Sequence, residues 1–286
     1  MGLRFTAGTA GRARLTGRAG LAWRARLGWE GRLAWRALQV WFTVYRRTWR
    51  SSVFSSVLGP LLYLGAMGFG LGSLVDRNGT ASLGGLSYLV FVAPAILAVQ
   101  AMQTAMAEAT FPVYGAVKWN HIYTVAQATP LRPADIYRGH LLFIAVRLAM
   151  NSAIFLAVAA AFGSIRSPWA VAALPAAVAC GLAFAAPVAA WSITVKKDTY
   201  FNYAFRFGMT PLMLFSGTFF PLSRLPGWIR PLAYVTPLWH GVALCRALTL
   251  GRPSAGSVVI HLGYLLVLAW IGLQAGERTY ARRLYV

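Results

Sequence analysis

Six long stretches of this chain contain no charged residue, or only one. A membrane core about 30 Å thick is crossed by roughly 20 apolar helical residues, so runs of this length predict transmembrane helices. With 58% hydrophobic and 12% charged residues, the chain has no room for a soluble domain of ordinary size. The sequence therefore predicts an all-α polytopic membrane protein with six spans, at about 53–75, 86–107, 138–162, 169–193, 204–220 and 256–276.

Positive charge is concentrated before the first predicted span. The net charge is +21, and eleven arginines precede residue 51, where Glu30 is the only acid. In a soluble protein this balance would indicate nucleic-acid binding, but in a membrane protein it is typical of cytoplasmic segments beside anionic lipid. We therefore expect no nucleic-acid partner. We expect a multi-pass protein of the bacterial plasma membrane, in contact with lipid, with both termini in the cytoplasm.

The region before the first span falls into two parts. Residues 1–31 are a basic extension, which is either disordered or the result of a start codon placed too far upstream, and residues 32–286 would form the membrane domain. Residues 32–50 predict an amphipathic helix lying in the membrane interface. This helix either only anchors the chain or transmits motion from a cytoplasmic partner. Its aromatic side would carry Trp35, Leu38, Trp41, Phe42, Tyr45 and Trp49.

Polar residues interrupt the predicted spans at two places. A polar strip lies at the end of span 2, with Gln100, Gln103 and Glu108, and Arg147 lies within span 3. Polar groups in membrane helices usually face protein or water rather than lipid. Arg147 either extends to the inner headgroups or pairs with a neighbouring helix or a cargo phosphate. The four residues are therefore candidate contacts for a cargo or for another helix.

Residues 221–255 are apolar but too interrupted to form a span. Prolines at 221, 226, 231 and 237 and several arginines divide them into short pieces. Irregular backbone at membrane depth must be buried in protein or line a wet cavity. The segment therefore predicts a re-entrant pair of short helices between spans 5 and 6, with Trp228 and Trp239 at the level of the outer headgroups.

Sequence motifs for nucleotide binding and catalysis are absent. No Walker A pattern occurs, so no P-loop can hold a nucleotide, and no H-E-x-x-H or G-x-S-x-G pattern occurs either. The four histidines are scattered, and no acid lies in the middle of a predicted span, which disfavours an ion-driven carrier. We expect no catalytic residue, metal or cofactor in this chain, so any transport would take its energy from a partner.

Several segments resemble ABC-2 type permeases, the membrane subunits of one class of ABC exporters. The most specific is the stretch SGTFFP at 216–221, followed by LPGW at 225–228, TPL at 236–238 and Arg246. Weaker matches lie at 60–72, 88–94 and 129–139. From about residue 40 to the end, the chain looks closest to nodulation-factor (lipo-oligosaccharide) exporter permeases and related antibiotic-exporter permeases.

The resemblance implies an exporter of amphipathic cargo, such as a glycolipid, a lipo-oligosaccharide or a hydrophobic drug. It implies a second permease, identical or homologous, and cytoplasmic ATPase subunits that alone bind ATP and Mg. Contacts with the ATPase would come from the N-terminal helix and the segment 116–136, with the loop 196–198 as a further candidate. The implied coupling residues are Arg36, Arg47, Lys118, His121, Tyr123, Arg132 and Asp135, and the implied outer gate consists of Phe219, Phe220, Trp228 and Trp239.

A different class of function remains open from the sequence alone. The chain could be a membrane scaffold or a lipid-modifying enzyme that has no ATPase partner. A neighbouring gene with a Walker A motif and an ABC signature would favour export, and its absence would favour this alternative.

Overall fold

The computed structural model describes residues 35–43, 45–46, 50, 53–54, 56–77, 83, 85–224 and 226–284. The regular structure of these residues is entirely helical, which confirms the predicted class. Five helices are long and apolar enough to cross a membrane. They are α1 (Ser56–Arg77), α2 (Tyr88–Ala109) with its continuation α3 (Phe111–Lys118), α5 (Pro133–Ala161), α6 (Ala173–Ser192) and α10 (Ala255–Leu284).

The shorter elements connect these helices. The helix α4 (Ile122–Gln127) follows α3, and a 3-10 turn at Pro168–Ala172 precedes α6. The helix α7 runs over 199–215 and contains a π-helical turn at Ala204–Met209. The N-terminal helix is described at 35–43, 45–46 and 50. Two short helices, α8 (Arg230–Val235) and α9 (Pro237–Thr249), precede α10.

The predicted count of six spans is not confirmed. The described residues contain five helices of sufficient length, and the segment predicted as a span at 204–220 is instead the shorter helix α7. This helix ends at Phe215 because Gly217 adopts a positive φ of 74°, which a helix cannot continue through. The re-entrant pair is not confirmed either, although α8 and α9 are two short helices at the predicted place.

The helix α6 lies at the centre of the bundle and is built largely of alanine. It packs against α2, α5, α9 and α10. Small side chains allow the backbones of membrane helices to approach closely, where van der Waals packing replaces the missing hydrophobic driving force. The hydroxyl of the buried Tyr137, on α5, lies 2.8 Å from the carbonyl of Ala186 on α6 and 3.0 Å from that of Gly272 on α10. One side chain therefore joins three spans.

The helix α1 is attached to this bundle along one narrow face. Its buried residues Ser56, Pro60 and Leu64 recur every four positions, and Gly72 follows near the other end. The remaining apolar side chains of α1, including Phe69, are exposed. Gly68 packs against the side chain of Leu89 of α2, so it makes a close helix contact of the kind that a GxxxG spacing permits. Few residues of α1 are therefore buried in the bundle.

The two ends of the bundle differ in charge. One end of the bundle is formed by the N-terminal helix, α3, α4, the loop after α6 and the last turns of α10. There the ring centroids of Tyr123 and Tyr280 are 5.8 Å apart, and the Tyr114 hydroxyl donates to the Lys196 carbonyl. We call this the basic end. Its cationic residues are Arg36, Arg46, Lys118, Arg132, Lys196, Lys197, Arg278, Arg282 and Arg283. At the opposite end, the Arg166 amide donates to the Thr249 carbonyl.

Enlarging Gly272 is expected to destabilise the bundle. A Cβ at this position would lie 2.6 Å from Cδ of Pro187, so Gly272→Leu should cost about 1–3 kcal/mol by overpacking α6 against α10. Gly263 provides a matched control on the same helix, because no atom lies within 4 Å of its Cβ position. Thermal unfolding in detergent should show a lower midpoint for Gly272→Leu and little change for Gly263→Leu. Equal midpoints would contradict the close approach.

Candidate functional site

A cavity of about 330 Å³ opens between α1, α2 and α7. Its polar lining consists of the side chains of Gln100 and Gln103, two residues of the strip singled out in the sequence. The aromatic rings of Tyr63 on α1, Phe155 on α5 and Phe219 after α7 also line the cavity. The Gln103 amide donates to the sulfur of Met213 at 3.8 Å, which links α2 to α7 at the cavity wall. The lining can meet both apolar and hydrogen-bonding parts of one molecule.

The other two candidate contacts do not line this cavity. Arg147 Nη2 forms an ion pair with Glu108 Oε1 at 3.0 Å, which joins α5 to α2. The Tyr45 ring of the N-terminal helix covers the guanidinium, with the centroid 4.6 Å from Cζ. The structure therefore places Arg147 against a neighbouring helix, one of the options that the sequence left open. A buried pair of this kind is retained because each charge requires the other.

Three polar residues that the sequence analysis did not single out, Ser56, Thr104 and Asn151, are hydrogen-bonded between the ion pair and the cavity. Ser56 Oγ donates to Asn151 Oδ1 at 2.9 Å, and Asn151 Nδ2 donates to Thr104 Oγ1 at 3.2 Å. These bonds connect α1, α5 and α2. The sequence spacing could have indicated these residues, because Asn151 follows Arg147 by four positions and Thr104 precedes Glu108 by four, which places each pair on one helix face.

The loop after α7 lies at the other side of the cavity and is held by Arg246 of α9. Arg246 donates from Nη2 to the Gly217 carbonyl at 3.1 Å and from Nε to the Phe91 carbonyl at 3.3 Å. Its Cζ also lies 4.0 Å from the centroid of the Phe91 ring. The hydroxyls of Ser216 and Thr236 are hydrogen-bonded at 3.1 Å. The separate segments of the SGTFFP, TPL and Arg246 pattern therefore form one structural unit.

The four predicted gate residues occupy different environments. Phe219 borders the cavity, and Phe220 beside it is half-buried. Trp228 is exposed, and the half-buried Trp239 packs against Tyr234 with ring centroids 4.7 Å apart. The structure therefore brings one of the four, Phe219, to the cavity, and the role of the set in gating stays a prediction.

The predicted coupling residues divide into exposed and buried groups. Lys118, His121, Arg132 and Arg36 are exposed at the basic end, and Arg47 lies outside the described residues. His121 adopts a positive φ of 49° in the turn between α3 and α4. Two large apolar side chains, Trp119 and Val125, are exposed beside it. We call Lys118, Trp119, Asn120, His121 and Val125 the α3–α4 surface.

Tyr123 and Asp135 are buried and have structural contacts. The Asp135 carboxylate accepts from the Arg132 amide at 3.1 Å and caps the start of α5, where negative charge is also favoured by the helix dipole. The Tyr123 hydroxyl lies 3.0 Å from Nδ1 of His140, and burial raises the pKa of Tyr123, so it remains neutral. The Trp41 ring stacks on His140 with a centroid distance of 4.0 Å. The aromatic side of the N-terminal helix therefore packs on protein at this point, not on lipid.

The family is decided by a comparison of the whole sequence. The sequence profile described as "ABC-2 type transporter" matches residues 32–250. The chain belongs to the ABC-2 type transporter family. The matched range includes the cavity, the Arg246 unit and the α3–α4 surface, and it ends just before α10. Membership in this family, together with the five apolar helices, makes the chain a multi-pass membrane transport component.

Individual relatives agree with this membership. The chain is 32% identical to Nodulation protein J of Rhizobium leguminosarum bv. trifolii over 251 residues, which cover 85% of this chain and 94% of the relative. It is 30% identical to Nodulation protein J of Sinorhizobium fredii, over 80% of this chain and 88% of the relative. For Nodulation protein J of Rhizobium meliloti the identity is 28%, over 85% and 94%. This ABC-2 transporter thus resembles the group that its sequence motifs indicated.

Proposed function

We propose that this chain is the membrane-spanning permease subunit of an ATP-driven ABC exporter. The cavity between α1, α2 and α7 carries the proposal, because its two glutamines and its aromatic rings suit an amphipathic cargo. The cargo would be a glycolipid, a lipo-oligosaccharide or a hydrophobic drug, taken from the cytoplasm or the inner leaflet. Such a molecule could place hydroxyl or amide groups on Gln100 and Gln103 and its apolar part on Tyr63 and Phe155.

The basic end of the bundle would face the cytoplasm. Cytoplasmic segments of membrane proteins carry an excess of Lys and Arg, and this end holds both termini of the described chain. The opposite end carries fewer cations: Arg77 lies beside Asp76, Arg166 and Arg252 lie in separate loops, and the segment between α7 and α10 adds Arg224, Arg230 and Arg246. This orientation places Phe219 and the Arg246 unit on the outer side of the cavity.

The energy would come from a separate ATPase that binds ATP and Mg and docks on the α3–α4 surface. The chain itself has no nucleotide-binding motif. Exposed Trp and Val side chains beside charged residues are the composition expected of a protein interface. From this surface, Tyr123 connects inward to His140 on α5 and Tyr280 on α10, so a displacement of α4 would reach two spans directly.

The second permease would cover the exposed face of α1. Exposed apolar side chains on this helix, such as Phe69, can contact either lipid or another permease. The cavity is open on one side, and a second copy or a homologous chain there would complete its wall. We keep both a homodimer and a heterodimer as forms of this proposal.

Docking of the ATPase is tested by co-purification in mild detergent. Trp119→Ala should weaken capture of a Walker A-containing subunit about tenfold or more, because truncation of a central interface tryptophan commonly costs 2 kcal/mol or more. Trp169→Ala is the matched control, since Trp169 lies at the opposite end and is 61% exposed against 57% for Trp119. If the chain purifies without any ATPase from native membranes, the proposed function is wrong. Equal capture by both variants would move the docking site elsewhere.

A further inference from the structure

The hydrogen bonds of Asn151 form a polar node where three membrane helices meet. The carboxamide of Asn151 accepts from Ser56 on α1 and donates to Thr104 on α2, so it uses both a donor and an acceptor. Ser56 and Asn151 are each 7% exposed. Ser56 is the buried hydroxyl on α1 within the described residues, and the other buried positions there are Pro60, Leu64 and Gly72.

The node lies directly beneath the cavity. Residues four positions apart on a helix share one face and are separated by about one turn. Ser56 precedes the cavity residue Pro60 by four positions, Thr104 follows Gln100 by four, and Asn151 precedes Phe155 by four. On each of the three helices this step leads from the cavity towards the basic end. The node therefore forms the floor of the cavity on that side.

A second layer lies one turn further towards the basic end. The Arg147–Glu108 ion pair joins the same two helices, α5 and α2, at the positions four residues from Asn151 and Thr104. Tyr45 of the N-terminal helix covers this layer, and its hydroxyl lies 3.7 Å from the sulfur of Met150. The ion pair connects α5 and α2 only, whereas the Asn151 node also includes α1. A movement of α1 away from α5 would therefore break the Ser56 bond without separating Arg147 from Glu108.

We propose that Asn151 is a positioning residue that closes the cavity towards the basic end, and that separation of Ser56 from Asn151 opens it there. This inference rests on the proposed function, because a permease must admit cargo to the cavity. Polar bonds between membrane helices are weak, and each shifts an equilibrium by roughly threefold on average. One such bond, from Ser56, holds α1 to the floor, so it is strong enough to favour closure and weak enough to open reversibly.

The test measures access to the cavity with a cysteine reporter. Gln100→Cys places a thiol in the cavity wall, and the native Cys180 and Cys245 are both buried, so the parent chain gives the background. Inside-out and right-side-out vesicles are treated with a membrane-impermeant maleimide, without nucleotide or cargo. From the side of the basic end, Asn151→Leu should raise the labelling rate roughly five- to tenfold, and Ser56→Ala roughly threefold. From the opposite side, the rate should not change.

A control variant on α5 and two contrary outcomes complete the test. Ser152→Ala alters a buried hydroxyl at the next position of α5, away from the node, and should leave both rates unchanged. Unchanged labelling in both Asn151→Leu and Ser56→Ala overturns the proposal, as does an equal rise from both sides, which indicates general loosening. Ser56→Ala removes one atom and keeps the inference testable if Asn151→Leu does not fold. Because the assay uses neither ATPase nor cargo, its failure is separate from failure of the proposed function.

Discussion

Replacing Glu108 with leucine is expected to destabilise the protein by about 3–5 kcal/mol, because the change leaves the guanidinium of Arg147 buried without its carboxylate. The two side chains are mostly buried, and the ion pair at 3.0 Å is shielded further by the Tyr45 ring. The measurement is the free energy of unfolding in mixed micelles, from a denaturing-detergent titration.

The double variant Glu108→Leu/Arg147→Leu is the decisive comparison. Removing both charges leaves no uncompensated group, so most of the lost stability should return. A double-mutant cycle then gives the coupling energy of the pair. If Glu108→Leu alone costs less than about 1 kcal/mol, the guanidinium is reached by water and the pair is not a structural link between α2 and α5.

Replacing Arg246 with methionine is expected to reduce transport about tenfold or more while the ATPase still co-purifies. The guanidinium makes charge-assisted bonds to the Gly217 and Phe91 carbonyls, and each such bond contributes about 1.5–3 kcal/mol. Without them, the loop that carries Phe219 is released from α2 and α9 on the proposed outer side of the cavity. The measurement is cargo movement in reconstituted vesicles, read beside ATP hydrolysis.

Two further variants separate geometry from charge at this position. Arg246→Lys keeps the charge but cannot reach both carbonyls with a planar fork, so an intermediate loss is expected. Arg252→Met removes an exposed arginine of the same end and should leave transport unchanged. Full transport by Arg246→Met would show that the loop is held by Ser216 and Thr236 alone.

The long helices were predictable because the bilayer sets their length. The runs expected at 138–162 and 169–193 coincide with α5 and α6 to within a few residues. The limits of the other helices depend on backbone details that hydropathy does not contain. The second predicted span ended at 107, whereas the helix passes Glu108, bends at Thr110 and continues to Lys118. The expected span at 204–220 ends early because Gly217 turns the chain.

The site was predictable where a polar residue is conspicuous against an apolar helix face. Gln100 and Gln103 were found in this way, and Arg147 was found as a charge within a span. Asn151 and Ser56 are less conspicuous, because a single amide or hydroxyl hardly changes the hydropathy of a run. The sequence analysis places Tyr123 and Asp135 on a contact surface, because the family resemblance implies one over 116–136. In the structure the ring of Tyr123 packs on Trp41 and Tyr280, and Asp135 caps a helix.

The light attachment of α1 has a consequence for how such a protein can diversify. The alanine-built α6 and its neighbours tolerate little change in volume, since Gly272 already lies against Pro187. By contrast, α1 and α7 form part of the cavity wall, and their outer faces are exposed. Substitutions at Tyr63 or Met213 would alter what the cavity accepts without disturbing the central helices. The fold thus separates a tightly packed scaffold from a wall with exposed outer faces, where a substitution would change the cavity with little overpacking of the core.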